Sequence, residues 1–505
     1  MTRHLIPFPL KPLVCLLALA LAALAAPQPN VIVILADDMG SGDVRALNPE
    51  SSIPTPNLDR LSREGVTFTD AHSGSAVCTP TRYGLVTGRY CWRSRLKKGV
   101  LNGYSEHLIE PDRFTIADVF KAKGYATACF GKWHLGMDLP LAGKQRLDLK
   151  GTVENGPLAN GFDRYYGISA SLDFPPYVWI SDDRIDATAV EMKPGRRFPD
   201  YLRAGETAPN FIHEQVQDRL VEESTGFIRK QAAAKQPFFI YLPLPSPHKP
   251  VLPADRFRGK SAVGPYGDYV MQTDWTVGEV MKAVRESGID DHTMIVYTSD
   301  NGSFMFQLDA PECPPRMPAD SNNPKDGSDH RTDPTIQGFN SASHRPNLNF
   351  RGTKADIFEG GHRVPFLVRM PGAFEAGRRV STTISLVDIL ATCAEVIGAE
   401  VPAGAAEDSH SFRALLMGEG KTGRAPVIAH SVNGSFAIYS GKWKLIATKG
   451  SGGRTLPGSK PFQKPYQLYD LSKDIEERNN LIESQPEVAQ RLEKELMTTI
   501  GDALP

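Results

Sequence analysis

Cysteine is scarce in this chain: six in 505 residues, one of them (Cys15) inside an amino-terminal apolar run. The other five, Cys78, Cys91, Cys129, Cys313 and Cys393, lie too far apart for the dense disulfide framework of a small exported domain, and their spacing assigns no pairing. Net charge is almost absent as well. Lys+Arg 57 against Asp+Glu 58 leaves −1 at pH 7. That balance excludes a general nucleic-acid or polyanion binder and makes any anion site local. No apolar run after residue 26 approaches membrane-span length, and no internal repeat is present. Proline (40) and glycine (44) are plentiful, so many long loops are expected.

The apolar run over 13–26 follows Arg3, His4 and Lys11, is short for a membrane span and ends in small residues. Ala23-Leu24-Ala25 offers an A-x-A cleavage site, and Cys15 lies too early for a lipoprotein anchor. Residues 1–25 are therefore read as a removable signal peptide, with the mature chain periplasmic or secreted and without a membrane span.

Several apolar runs end in charged or metal-ligating polar residues. Asn30-Val31-Ile32-Val33-Ile34-Leu35 reads as a buried central strand and delivers Asp37-Asp38. Two adjacent carboxylates at the end of a buried strand are costly unless a cation or donors satisfy them; a solvated turn is the alternative. The carboxyl edge is also where open α/β sheets place ligands. A hard divalent ion with oxygen ligands fits, calcium best in an exported enzyme. The run over 293–298 ends at Ser299-Asp300-Asn301, two more oxygen ligands at the same edge. The run over 125–130 delivers Lys132 and His134, which alone would pass for ordinary loop residues; the run over 237–244 delivers His248. Helices are expected over 55–65, 114–124, 211–231 and 274–287, and one opening after Cys78 with Pro80 in its first turn. Residues 303–349 form a long aperiodic insert placed to wall a pocket. After about residue 401, short strands over 436–439, 443–446 and 467–471 and a helix over 487–496 describe a small separate sheet.

Cys78-Thr79-Pro80-Thr81-Arg82, followed by Leu85 and Thr87-Gly88-Arg89, resembles the type I sulfatase signature. Gly131-Lys132-Trp133-His134-Leu135-Gly136, Asp300-Asn301-Gly302 and the stretch around Lys354 resemble the same family in the same order, over most of the mature chain. The softer Gly161–Ser171 stretch resembles a segment bordering that family's active site. The resemblance implies an alkaline-phosphatase-like α/β fold: a large, mostly parallel mixed sheet sandwiched by helices over 27–400, then a C-terminal α+β subdomain over 401–505. It implies that a formylglycine-generating enzyme converts Cys78 to formylglycine (3-oxoalanine), whose gem-diol attacks sulfur and then expels sulfate.

Asp37, Asp38, Asp300 and Asn301 are then expected to hold one Ca2+, with the residue-78 oxygen completing the shell. Arg82 is expected to hold the gem-diol, His134 to act as base and His248 as acid toward the leaving alcohol. Lys132, Lys354 and Ser171 are expected to contact sulfate. The expected substrate is a sulfated saccharide, on family resemblance a 6-sulfated galactose or N-acetylgalactosamine, with aryl sulfates as surrogates and no nucleic-acid partner. A phosphonate or phosphodiester hydrolase on the same scaffold, or a non-catalytic sulfated-glycan binding protein, are the competing readings.

Overall fold

The computed structural model describes residues 28–196, 200–314, 338–420 and 424–501. The expected signal peptide and the middle of the 303–349 insert lie outside them. A ten-stranded sheet runs in the order Arg378–Val380, Val66–Phe68, Phe366–Arg369, Thr293–Ser299, Asn30–Asp37, Phe238–Pro247, Ala126–Lys132, Arg164–Ile168, Trp179–Ser181, Arg184–Asp186. The five strands from Thr293–Ser299 to Arg164–Ile168 are mutually parallel, and antiparallel pairs flank them. Asn30–Asp37 lies at the centre, and Val31 to Ala36 are fully buried, as expected for a continuous apolar run covered on both faces. Helices Val216–Ala234, Pro265–Glu286 and Pro56–Arg63 form one packed group; Cys78–Thr87, Ile116–Lys121 and Ile389–Val396 form another. No described helix is long and apolar enough to cross a membrane.

The parallel arrangement brings four strand ends to one edge. Asp37 closes the central strand, Lys132 closes Ala126–Lys132, Asp300 follows Ser299 and His248 follows Pro247. The helix opening at Cys78 ends at Gly88, whose φ of 64° suits a residue without Cβ. A Cβ there would also stand 2.6 Å from that of Ala406.

Several boundaries differ from expectation. The 274–287 helix begins at Pro265, because proline is well accommodated in the first turn. The 211–231 helix starts at Val216, after a 3-10 turn. The 114–124 helix is cut to Ile116–Lys121 by a Thr115–Asp118 capping box. The C-terminal sheet has a further strand, Val427–His430, ahead of Phe436–Ser440, Trp443–Ile446 and Gln467–Asp470. Alternation splits this sheet between two surfaces. Ile428, Ile438, Leu445 and Leu468 pack under Leu492, Leu496 and Ile500 of Pro486–Ile500, while Val427, Ala429, Ala437 and Tyr439 pack on Ile357 and Phe358, just past Lys354. Phe412, Leu415 and Leu416, past residue 401, join the large core of the catalytic sheet.

Candidate active site

Cys78 is the first residue of its helix, so the positive end of the helix dipole faces it. Its Sγ lies 3.6 Å from Asp37 Oδ1 and 3.3 Å from Lys354 Nζ. Burial pushes the thiol up to about 12, with Lys132 and Lys354 opposing. An unmodified Cys78 is therefore a neutral thiol, poorly suited to attack.

Three fully buried carboxylates and two lysines interlock around it. Lys132 Nζ stands 2.5 Å from Asp37 Oδ2. Lys354 Nζ is 2.6 Å from Asp38 Oδ1 and 2.8 Å from Oδ2. Arg82 donates from Nε (3.0 Å) and Nη2 (2.8 Å) to Asp300 Oδ2 and from Nη1 to the Lys132 carbonyl (2.9 Å). The Asp38 amide donates to Asp300 Oδ1 at 3.1 Å, and Asn301 Nδ2 donates to Asp38 Oδ1 at 2.7 Å. Burial, then the Asp300 charge, push Asp37 up to about 7 against Lys132 and Arg82. Burial raises Asp38 as well, against Lys354. Burial would also raise Asp300, but Arg82, Lys132 and Lys354 outweigh it and hold that carboxyl low.

The two histidines differ in what their free nitrogens face. His134 Nε2 donates to the Leu101 carbonyl at 2.8 Å, while Nδ1 is buried without a hydrogen-bond partner. That leaves an unprotonated, acceptor nitrogen in a neutral ring. Burial, then Lys132 and Arg82, hold His134 well below the usual histidine range. His248 Nδ1 donates to the Lys249 carbonyl at 2.5 Å, leaving Nε2 toward Asp38 Oδ2 at 3.6 Å. Burial, then Lys354 and Lys132, lower it too. Asp38 and His134 carry φ of 65° and 56°, a left-handed backbone that costs of order 1–3 kcal/mol each at non-glycine residues and clusters at functional sites.

All the expected site residues except Ser171 are thus linked by contacts or mutual charge around Cys78. Ser171 is buried on the following loop, its Oγ without a partner. Asp173, two residues on, escaped the sequence reading. Its Oδ1 lies 4.0 Å from His248 Nδ1, and its Oδ2 accepts from Arg203 Nη1 at 2.6 Å. The five cysteines outside the apolar run are all free.

A mixed α/β sheet whose parallel strand ends gather clustered carboxylates and cations around one helix-start nucleophile position defines a hydrolase of oxyanion esters. The sulfatase profile matches residues 29–399. The chain is 30% identical to the N-acetylgalactosamine-6-O-sulfatase of Bacteroides thetaiotaomicron, over 94% of this chain and 93% of the relative. It is 32% identical to arylsulfatase A of Bos taurus, over 94% and 87%. A solved Bacteroides thetaiotaomicron structure, from work on the metabolism of multiple glycosaminoglycans, superposes with a TM-score of 0.79 at 30% identity, covering 94% of this chain and 99% of the other. The chain belongs to the sulfatase family and is a sulfuric ester hydrolase.

Proposed function

We propose that this sulfatase acts outside the cytoplasm on a sulfated carbohydrate, with 6-sulfated galactose or N-acetylgalactosamine as the substrate class, through a formylglycine made from Cys78. The observation that carries the reading is the placement of Cys78 Sγ at a helix start between the Asp37 carboxylate and the Lys354 ammonium. The printed name of the Bacteroides relative supports the sugar. Mass spectrometry of the tryptic peptide containing residue 78 tests the modification. Aldehyde formation lowers the mass relative to cysteine, and an unconverted thiol in active enzyme would overturn it. A panel of defined sulfated saccharides, run beside aryl phosphodiesters, tests the substrate class.

The donor set suits calcium. Asp37, Asp38, Asp300 and Asn301 offer only hard oxygens, Asn301 Oδ1 is buried without a hydrogen-bond donor, and burial raises both Asp37 and Asp38. Calcium there would neutralise these groups and polarise a sulfate oxygen, and formylglycine would supply a hydrated aldehyde as nucleophile. The chain's own groups do the rest. Arg82 holds Asp300 and the end of the Lys132 strand in place. Lys132 and Lys354 exchange part of their ion pairing for sulfate oxygens. His134 Nδ1 is the waiting acceptor for a proton, and His248 Nε2 is positioned to deliver one to the departing alcohol.

Asp300→Ala should weaken calcium binding on the order of 10²-fold and lower the melting temperature, since it also strips Arg82 of a buried partner. Excess calcium should restore part of the loss by mass action. Unchanged metal content and unchanged melting would remove Asp300 from the shell.

Calcium affinity should also fall with acidity. Asp37 is raised to about 7 by burial and by Asp300, so below that pH its proton competes with the ion, and affinity drops up to about tenfold per pH unit. Calcium titrations at about pH 5.5 and 8 check this, and equal affinities would exclude a protonated Asp37.

A further inference from the structure

The strand ends that carry Asp37-Asp38 and Asp300-Asn301 are tied together behind the carboxylates by one tyrosine. Tyr266 lies in the first turn of Pro265–Glu286 and is fully buried. Its hydroxyl is 2.7 Å from Asp43 Oδ2, five residues past Asp38, and 2.8 Å from Oγ of Ser303, two residues past Asn301. A carboxylate only accepts, so the phenol donates to Asp43 and Ser303 Oγ donates to the phenol oxygen. The Asp38 carbonyl, at 3.5 Å, is left as a long contact. Burial, then the Asp43 charge, raise this phenol well above the usual tyrosine range, so the donor keeps its proton.

Each partner passes the constraint to its own loop. Asp43 Oδ2 also accepts from the Gly40 amide at 2.9 Å, closing the turn just past Asp38, and Asp43 Oδ1 is 2.8 Å from His344 Nε2. The Ser303 amide donates to Asn347 Oδ1 at 2.8 Å, and the Ser303 carbonyl accepts from the Lys354 amide at 3.0 Å. His344 and Asn347 belong to one segment that lies against the same turn. A Cβ on Gly40 would stand 2.0 Å from the Pro346 oxygen, and one on Gly42 1.8 Å from that of Arg345. The tyrosine ring itself packs on Phe304 and Phe339, each with centroids 5.8 Å away, and the Phe304 ring is 6.3 Å from that of His248. The ring therefore packs, and the hydroxyl bridges.

Across the front, the Asp38 amide donates to Asp300 Oδ1, Asn301 Nδ2 donates to Asp38 Oδ1, and the Met39 amide donates to Ser299 Oγ at 2.9 Å. The first two engage oxygens of the proposed calcium shell; the Tyr266 bridge engages none of them. We propose that Tyr266 is a positioning residue for the calcium site, its hydroxyl setting the separation of the Asp37-Asp38 and Asp300-Asn301 ends; this rests on the calcium reading given above. Oxygens held at a fixed separation lose little freedom when they close on an ion, whereas loops free to spread must first be gathered. Outer partners that orient ligands in this way typically change metal affinity by about 10- to 100-fold.

The test is Tyr266→Phe in the full mature chain, titrated with calcium by calorimetry. The ring contacts remain, Asp43 Oδ2 keeps the Gly40 amide, and Ser303 Oγ keeps the Met305 amide, so the variant should fold. Its calcium Kd should rise roughly 10- to 100-fold, and excess calcium should restore aryl sulfate turnover by mass action. Tyr125→Phe is the control. It loses a hydrogen bond to the Pro29 carbonyl at the far end of the central strand and should bind calcium as wild type does. Wild-type affinity in a folded Tyr266→Phe protein, even with a lowered melting temperature, would make the hydroxyl merely structural and overturn the proposal. Equal losses of affinity in the two variants would overturn it as well, as general loosening. A wild-type chain that binds no calcium would instead remove the calcium reading, and this inference with it. If Tyr266→Phe does not fold, Ser303→Ala removes the other end of the same bridge and is read in the same way.

Discussion

Cys78→Ala will lower turnover of sugar and aryl sulfates alike, by roughly 10⁴- to 10⁶-fold, the scale seen when a covalent nucleophile is removed. The loss should fall on kcat, because the groups proposed to bind sulfate stay in place: Lys132 on Asp37 and Lys354 on Asp38. The fold should survive. Alanine removes one buried sulfur that contributes a long contact to Asp37 and one to Lys354, and leaves the backbone of the Cys78–Thr87 helix unchanged. Cys78→Ser should be nearly as inactive unless the host matures serine, because a plain hydroxyl has no second oxygen with which to expel sulfate. The check is steady-state kinetics on both substrate types beside thermal melting, in protein freed of host sulfatase. Full activity in either variant would sink the assignment of position 78.

The sequence carried the active-site edge further than it carried the elements around it. Asp37-Asp38 and Asp300 follow β-branched apolar runs, and Lys132 and His248 follow short runs of small, aromatic and aliphatic residues; parallel pairing of the strands then brings such ends together. What the runs do not encode is which side chain meets which. That Lys354 reaches both Asp38 and Cys78 depends on a left-handed Ala355 and on the pairing of the Ala355 amide with Ala76, contacts more than 270 positions apart. The start of Pro265–Glu286 was placed too late: Tyr266, Tyr269 and Val270 already follow the helical spacing and are buried, and the sequence reading began only at Asp274. The strand Val427–His430 is only four residues long and has too few alternations to declare itself. Asp173 was missed because a single polar residue on a short segment acquires meaning only from partners far away in sequence.

His248→Ala should cut kcat/KM for a sugar sulfate by roughly 10²- to 10⁴-fold, or about 2.7–5.4 kcal/mol of transition-state stabilisation, and by far less for an activated aryl sulfate. A sugar alkoxide is strongly basic and needs a proton as it departs; nitrophenolate leaves largely unaided. The geometry favours Nε2 as the delivering atom, because Nδ1 is already committed to the Lys249 carbonyl. Burial, Lys354 and Lys132 keep His248 neutral in the free site, so the negative sulfate group must draw those lysines' charge to itself before the ring can hold a second proton. The sugar reaction should therefore lose rate as pH rises through the bound enzyme's His248 titration, while the activated aryl reaction should not share that limb. His134→Ala should behave differently. In the proposed mechanism its unpartnered Nδ1 serves a step that both substrates share, so both should release about one equivalent of alcohol per enzyme and then nearly stop. Paired kinetics of the two variants on the two substrates decide the matter. Equal losses on both for His248→Ala would make it a sulfate-binding or positioning group, and the proton donor would have to be sought at Lys354, whose Nζ already stands 3.3 Å from Sγ of Cys78.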